Sequence, residues 1–163
     1  MDYLWTPWRY QYVTKADDAG VCVFCSAVQS SDDSRTLVVH RGAHNMVILN
    51  RYPYCSGHVM VVPFEHVATL GELHDDALCE LIRLGRRCEK HLREIYRPDG
   101  LNLGINLGKS AGAGIAGHLH LHVLPRWTGD TNFMTVVGET RVVPESLDIT
   151  WEKLHSAFAA PEA

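Results

Sequence analysis

Three histidines alternate strictly with apolar residues in His118-Leu119-His120-Leu121-His122-Val123-Leu124-Pro125. On a β-strand this spacing points three imidazoles at one face and Leu119, Leu121 and Val123 at the other, so one face can do chemistry while the other joins a core. The run follows a glycine-rich segment, Gly108-Lys109-Ser110-Ala111-Gly112-Ala113-Gly114. Exposed backbone N–H groups of such a loop, beside neutral imidazoles, suit phosphate chemistry, because together they can cradle and attack a phosphoryl group.

The elements that must position these residues are legible from periodicity. Three β-rich runs, Leu37 to His40, Asn45 to Asn50 and His58 to Pro63, are separated by turn-forming segments and predict an antiparallel meander. From His74 to Tyr96 the apolar residues Leu78, Leu81, Ile82, Cys88, Leu92 and Ile95 recur at helical spacing, and Pro98-Asp99-Gly100 ends the run. Two further strands, Leu101 to Leu107 and Leu119 to Leu124, flank the glycine-rich loop, and Glu145 to Phe158 reads as a shorter helix. Residues 1 to 35 read as an irregular, aromatic arm and a polar loop. The expected class is α+β: a mostly antiparallel five-stranded sheet with one long and one shorter helix. Its open edges call for cover, which a second subunit can supply.

With 163 residues the chain reads as a single domain, 1–163, its arm included. Fifteen Lys and Arg against 19 Asp and Glu give a net charge of −4, which speaks against a general attraction to nucleic acid or an anionic membrane and leaves any phosphate site local. No apolar run has the length of a membrane span, and the opening Met1-Asp2-Tyr3-Leu4-Trp5 lacks the basic and apolar regions of a secretory signal. A cytoplasmic location is the expectation. Five cysteines, an odd number, agree with a reducing compartment. Cys22 and Cys25 form a Cys-x-x-Cys that is half of a tetrahedral zinc site, a redox pair or two unligated thiols. A redox pair is disfavoured by the missing βαβ context. Cys79 and Cys88 read as small core residues of the long helix and Cys55 as a free thiol in a turn.

These residues resemble the histidine triad (HIT) family of nucleotidyl hydrolases and transferases, whose signature alternates three histidines with apolar residues as His118 to Leu124 does. The resemblance extends to the segments Asn50 to Pro63, Gly100 to Asn106 and Pro125 to Phe133, which, with Leu4 to Arg9, are similar to the bacterial diadenosine tetraphosphate phosphorylase branch. It implies that His120 is the nucleophile, attacking an α-phosphorus to form a nucleotidyl-imidazole, with one ring N–H fixed by a backbone carbonyl. His122 would touch the same phosphate, and water or inorganic phosphate would resolve the intermediate.

By the same resemblance Asn106 binds phosphate, and Lys109 and Ser110 stand where an entering or leaving phosphate is held. Asn50 is placed to meet ribose hydroxyls, His58 supports the triad, Met60 lines a base pocket, and Trp127 contacts base or phosphate. Many relatives carry a hydroxyl where this chain has Gly114 and Ile115, so backbone N–H groups near Gly114 would carry more of the phosphate. Zinc-bearing relatives complete Cys22 and Cys25 with a histidine matching His66 and with the first triad histidine, His118. Four protein ligands leave no open position, so that zinc would be structural. The partners implied are a dinucleoside polyphosphate, with or without a divalent cation, inorganic phosphate and a second copy of the chain. Phosphorolysis of diadenosine tetraphosphate to ATP and ADP leads. Hydrolysis of dinucleoside polyphosphates or nucleoside phosphoramidates, and a nucleotide sensor with little turnover, are the alternatives.

Overall fold

The computed structural model describes residues 21–130 and 145–161. The aromatic start of the arm, Leu4 to Arg9 and Tyr10 to Tyr12, and the stretch Thr131 to Phe133 lie outside the described residues. Five strands, Val38–Arg41 (β1), Asn45–Leu49 (β2), Val59–Pro63 (β3), Gly100–Ile105 (β4) and Leu121–Arg126 (β5), form one sheet in the order β1-β2-β3-β5-β4. Every neighbouring pair is antiparallel. The α+β class and the five strands agree with the sequence reading.

Two departures fall at the start of the chain and at the histidine run. Residues expected to be irregular form two short helices, Val23–Gln29 (α1) and Asp33–Thr36 (α2). Polar residues start and hold α2: the Asp32 carboxylate accepts from the Arg35 N–H and the Ser34 hydroxyl. The other departure concerns the triad, because β5 begins only at Leu121, so His118 and His120 precede the strand and His122 alone lies within it. Long-range bonds replace the ladder there, with the Leu119 N–H donating to the Val67 carbonyl at 2.6 Å. Leu119, Leu121 and Val123 are buried, as expected.

The long helix Asp75–Tyr96 (α3) packs on β5, β3 and β2. His74 caps it by accepting from the Ala77 N–H, Asp75 and Asp76 occupy its positive end, and Arg97 closes it in the left-handed conformation before Pro98. Its buried stripe is Ala77, Leu81, Leu84, Gly85, Cys88 and Leu92. Ile82 and Cys79, expected in that stripe, are exposed: at 100° per residue Ile82 falls beyond the edge of the buried stripe, and Cys79, nine residues from Cys88, lies on the opposite face. Gly85 allows helix and sheet to approach over β5: a Cβ there would stand 3.1 Å from the Leu121 side chain.

The closing helix Leu147–Ala159 (α4) buries Thr150, Leu154 and Phe158 and packs on β1 and α3. It covers the β1 edge directly, since the Trp151 indole N–H donates to the Val38 carbonyl at 2.7 Å and His155 bonds the Val39 carbonyl at 3.0 Å.

A single carboxylate ties α3 to the β1–β2 turn. Glu80 accepts from the N–H groups of Ala43 and His44 and from the Asn45 amide, at 2.7 to 2.8 Å. Burial pushes its pKa up, but the bonds from Asn45, Ala43 and His44 outweigh this and hold it below the usual 4.5. A depressed folded pKa contributes stability that is present above about pH 4.5 and is lost as the pH falls through the folded value. Glu80→Gln, which turns an NH₂ toward these donors, is expected to cost about 2 kcal/mol at pH 7. The difference from the parent should narrow below pH 4.5, as read from urea unfolding midpoints at both pH values.

Candidate active site and metal cluster

Sheet register explains which histidines meet. Met60 of β3 pairs with His122 of β5, and Ile48 of β2 pairs with Met60, so these residues line one face of the sheet. His58 lies two residues before Met60 on that face, diagonal to His122, and its Nε2 is 2.9 Å from His122 Nδ1. Asn50 sits across from His58: its N–H donates to the His58 carbonyl, and its side-chain nitrogen is 3.5 Å from the His58 ring.

The ring partners select a tautomer for each histidine. The Tyr54 N–H donates to His58 Nδ1 at 3.2 Å, so Nε2 of His58 carries the hydrogen and gives it to His122 Nδ1. His122 then presents Nε2–H outward. His120 Nδ1–H donates to the His118 carbonyl at 2.8 Å, leaving the lone pair on Nε2. His118 Nε2–H donates to the Pro63 carbonyl at 2.9 Å, leaving its Nδ1 lone pair toward the cysteines. Burial is the main cause that lowers the pKa of both His118 and His120, with the carbonyl bonds opposing it, so both rings are neutral near pH 7. The His120 and His122 rings stand 4.9 Å apart, nearly perpendicular. A free neutral Nε2 beside an N–H donor is an arrangement able to attack phosphorus and to bond the oxygens around it.

The second constellation brings together Cys22, Cys25, His66 and His118, whose ligand atoms all lie within 4.8 Å of one another. Cys22 Sγ is 3.3 Å and Cys25 Sγ 3.7 Å from His118 Nδ1, and Cys25 Sγ is 3.2 Å from His66 Nδ1. A tetrahedron with metal–sulfur bonds of 2.3 Å and metal–nitrogen bonds of about 2.05 Å has sulfur–nitrogen edges of about 3.6 Å, so the four donors are spaced for one ion. Burial, then the Cys22 hydrogen bond and charge, raise the Cys25 thiol pKa, a penalty that a bound cation relieves.

Two residues that position this cluster carry no sequence motif. Arg41 of β1 donates to the Val28, Ala27 and Ser30 carbonyls at 2.8 to 3.1 Å and pairs with Asp33, fastening the C-terminal end of α1. Phe24, between the two cysteines, is buried with its ring 5.2 Å from His118 and 5.3 Å from His120. An aromatic residue inside a Cys-x-x-Cys was the one available signal for it.

The remaining expected site residues lie around these two constellations or at the far end of β5. Asn50 is buried, and its Oδ1 accepts from the Tyr52 N–H at 2.9 Å, while its Nδ2 faces a His58 Nε2 that already carries a hydrogen. β4 pairs with β5 up to Ile105 and Leu121, so Asn106 follows the last pair on the side of His120. Lys109 and Ser110 form an exposed 3₁₀ turn after Gly108, whose φ is 81°. The expected N–H cradle is partly closed: Ala111 and Ala113 donate to the Gly108 carbonyl and Gly112 to that of Lys109, at 3.0 to 3.3 Å. Gly114, just beyond them, is half-buried. Trp127 follows the far end of β5, five residues beyond His122, about 16 Å away along an extended strand. It is therefore remote from the triad of its own chain, with its N–H bonded to Asp130.

An apolar sheet face, a row of oriented imidazoles and a glycine-rich turn leading into them make up an α+β sheet with an arrangement suited to phosphate chemistry. The HIT domain model matches residues 32–129, and the chain belongs to the histidine triad family and is an enzyme of it. It is 39% identical over 163 residues to the AP-4-A phosphorylase of Mycobacterium tuberculosis, a match covering 96% of this chain and 84% of that protein. Its fold is shared with a zinc-bound histidine triad family protein from Mycobacterium smegmatis (TM-score 0.69, 29% identity, 86% of this chain and 94% of that one). A hypothetical histidine triad nucleotide-binding protein from Sulfolobus tokodaii is also similar (TM-score 0.66, 28% identity, 83% and 91%).

Proposed function

We propose that the protein cleaves diadenosine tetraphosphate by phosphorolysis to ATP and ADP. The observation that carries this reading is the His120 ring, tied through Nδ1–H to the His118 carbonyl at 2.8 Å with Nε2 free, in a chain 39% identical to a named AP-4-A phosphorylase. His120 Nε2 attacks an α-phosphorus, the bond from that phosphorus to its bridging oxygen breaks, and ATP leaves. His122, held by His58, donates Nε2–H to the phosphate oxygens and stabilises the charge that develops there. An oxygen of inorganic phosphate then attacks the adenylyl-histidine, the phosphorus–nitrogen bond breaks, and ADP is released. Met60 lines the base side, Asn106 and the Lys109–Ser110 turn hold phosphate, and Asn50 supports His58.

Cys22, Cys25, His66 and His118 would hold zinc, which supplies a closed structural crosslink between α1 and the triad and no open coordination position. Reduced thiols at such a site fit a cytoplasmic enzyme. Among the described residues, no helix is long and apolar enough to cross a membrane. The chain is a single domain in this reading, and a second copy pairs along the β4 edge, where Leu103 and Leu107 are exposed at 49% and 44%.

One observation favours water as the acceptor instead. Three N–H groups of the glycine-rich loop are spent on its own carbonyls, and Gly114 and Ile115 bring no hydroxyl, which leaves fewer donors for an incoming phosphate. Product analysis of the purified protein with diadenosine tetraphosphate, with and without inorganic phosphate, decides between the two. ATP plus ADP, formed only with phosphate, is the expected result. ATP plus AMP without it would make the protein a hydrolase.

A further inference from the structure

We propose that Phe24 is a positioning residue for His120, through which the Cys22–Cys25 segment holds the reactive imidazole in register with its substrate. The inference rests on the reading of His120 as nucleophile. One hydrogen bond, from Nδ1–H to the His118 carbonyl, anchors the ring at a single point and leaves it free to rock about that point. Phe24 closes off that motion. Its ring meets His118 edge-on, at 72°, and His120 at a 48° tilt, so it packs on both the histidine that provides the carbonyl and the histidine that uses it.

Phe24 is itself held on both sides. It is 3% exposed, it lies between Cys22 and Cys25 of the four-donor cluster, and it stands in the first turn of a helix whose far end Arg41 fastens to β1. His118 enters the same arrangement twice, through Nδ1 toward the cysteines and through its carbonyl toward His120. A rigid support of this kind acts on the reaction without touching substrate, because a misplacement of about 1 Å in a reacting group lowers the rate by about 10²-fold.

The test uses the full chain loaded with zinc and labelled with ¹⁵N at histidine, in which long-range ¹H–¹⁵N spectra report the tautomer of each ring. In the parent, His120 should show the Nδ1–H form alone. In Phe24→Leu, which keeps an apolar side chain, its signals should move toward a mixture of tautomers, with parent-like zinc content. Turnover of diadenosine tetraphosphate should fall by about 10-fold to 10²-fold in kcat, with KM changed less than about twofold. Phe24→Met serves as a second variant should Phe24→Leu not fold. Unchanged His120 signals in the folded variant would overturn the proposal, as would a change that merely follows lost zinc. The spectra need no substrate, so a parent inactive on diadenosine tetraphosphate would remove the proposed function and still leave the role of Phe24 decided.

Discussion

His120→Ala is expected to lower turnover by about 10⁴-fold or more and to abolish the adenylyl-protein trapped when radiolabelled diadenosine tetraphosphate is quenched in acid. The size of the effect follows from what the substitution removes. Among the described residues, no other ring of the triad combines a neutral, buried imidazole with an unbonded Nε2: His118 directs its lone pair at the cysteines, and His122 presents an N–H. Without the nitrogen nucleophile the two displacements collapse into one direct attack by phosphate, and the covalent intermediate is lost. Nucleotide binding should survive, because the loop and the Met60 face are untouched. Retention of more than about a tenth of the parent rate would transfer the nucleophile's role to another group.

Removal of the metal is the second large effect expected. The purified protein should contain about one zinc per chain, because four donors are spaced for one tetrahedral ion. A ligand that binds only the folded state at a thousandfold above its dissociation constant stabilises by about 4 kcal/mol, which for a chain of this size corresponds to a fall in Tm of about 10 °C on loss. Cys22→Ser should reproduce the loss in Tm without further response to a chelator, and its cost in stability should exceed its cost in turnover. The reason lies in the crosslink: a bound ion would join the start of α1 to the segment at His66 and to His118, three parts of the chain that the sheet ladder does not pair. Scanning calorimetry with and without EDTA, alongside metal analysis, measures this. A metal-free protein with the parent Tm would refute the site.

Strand and helix positions were legible because alternation and 3.6-residue periodicity are local. The three runs of the meander, the long helix with its His74 start and Pro98 stop, and the Leu147, Trp151, Leu154 and Phe158 face all stand where the pattern put them. Errors gathered where tertiary contacts override pattern. His118 and His120 carry the alternation of a strand, yet bonds to Val67, Pro63 and a neighbouring carbonyl replace the ladder there. Cys79 and Cys88 are a different case: nine residues apart at 100° per residue, they face opposite sides of α3, so one is exposed and the other buried.

By itself the sequence determined the chemical inventory: imidazoles at a two-residue spacing, a Cys-x-x-Cys, a glycine-rich turn, and the elements able to bring them to one place. The tertiary structure alone decided which nitrogen of each imidazole carries the hydrogen. That choice depends on the Tyr54 N–H and the Pro63 and His118 carbonyls, and on a His58–His122 contact across 64 residues of chain. It likewise set Phe24 against the reactive ring and left Trp127 at the opposite end of β5. A tautomer is fixed by the partner that reaches a ring nitrogen, and that partner is chosen by sheet register and packing, quantities that no local pattern encodes.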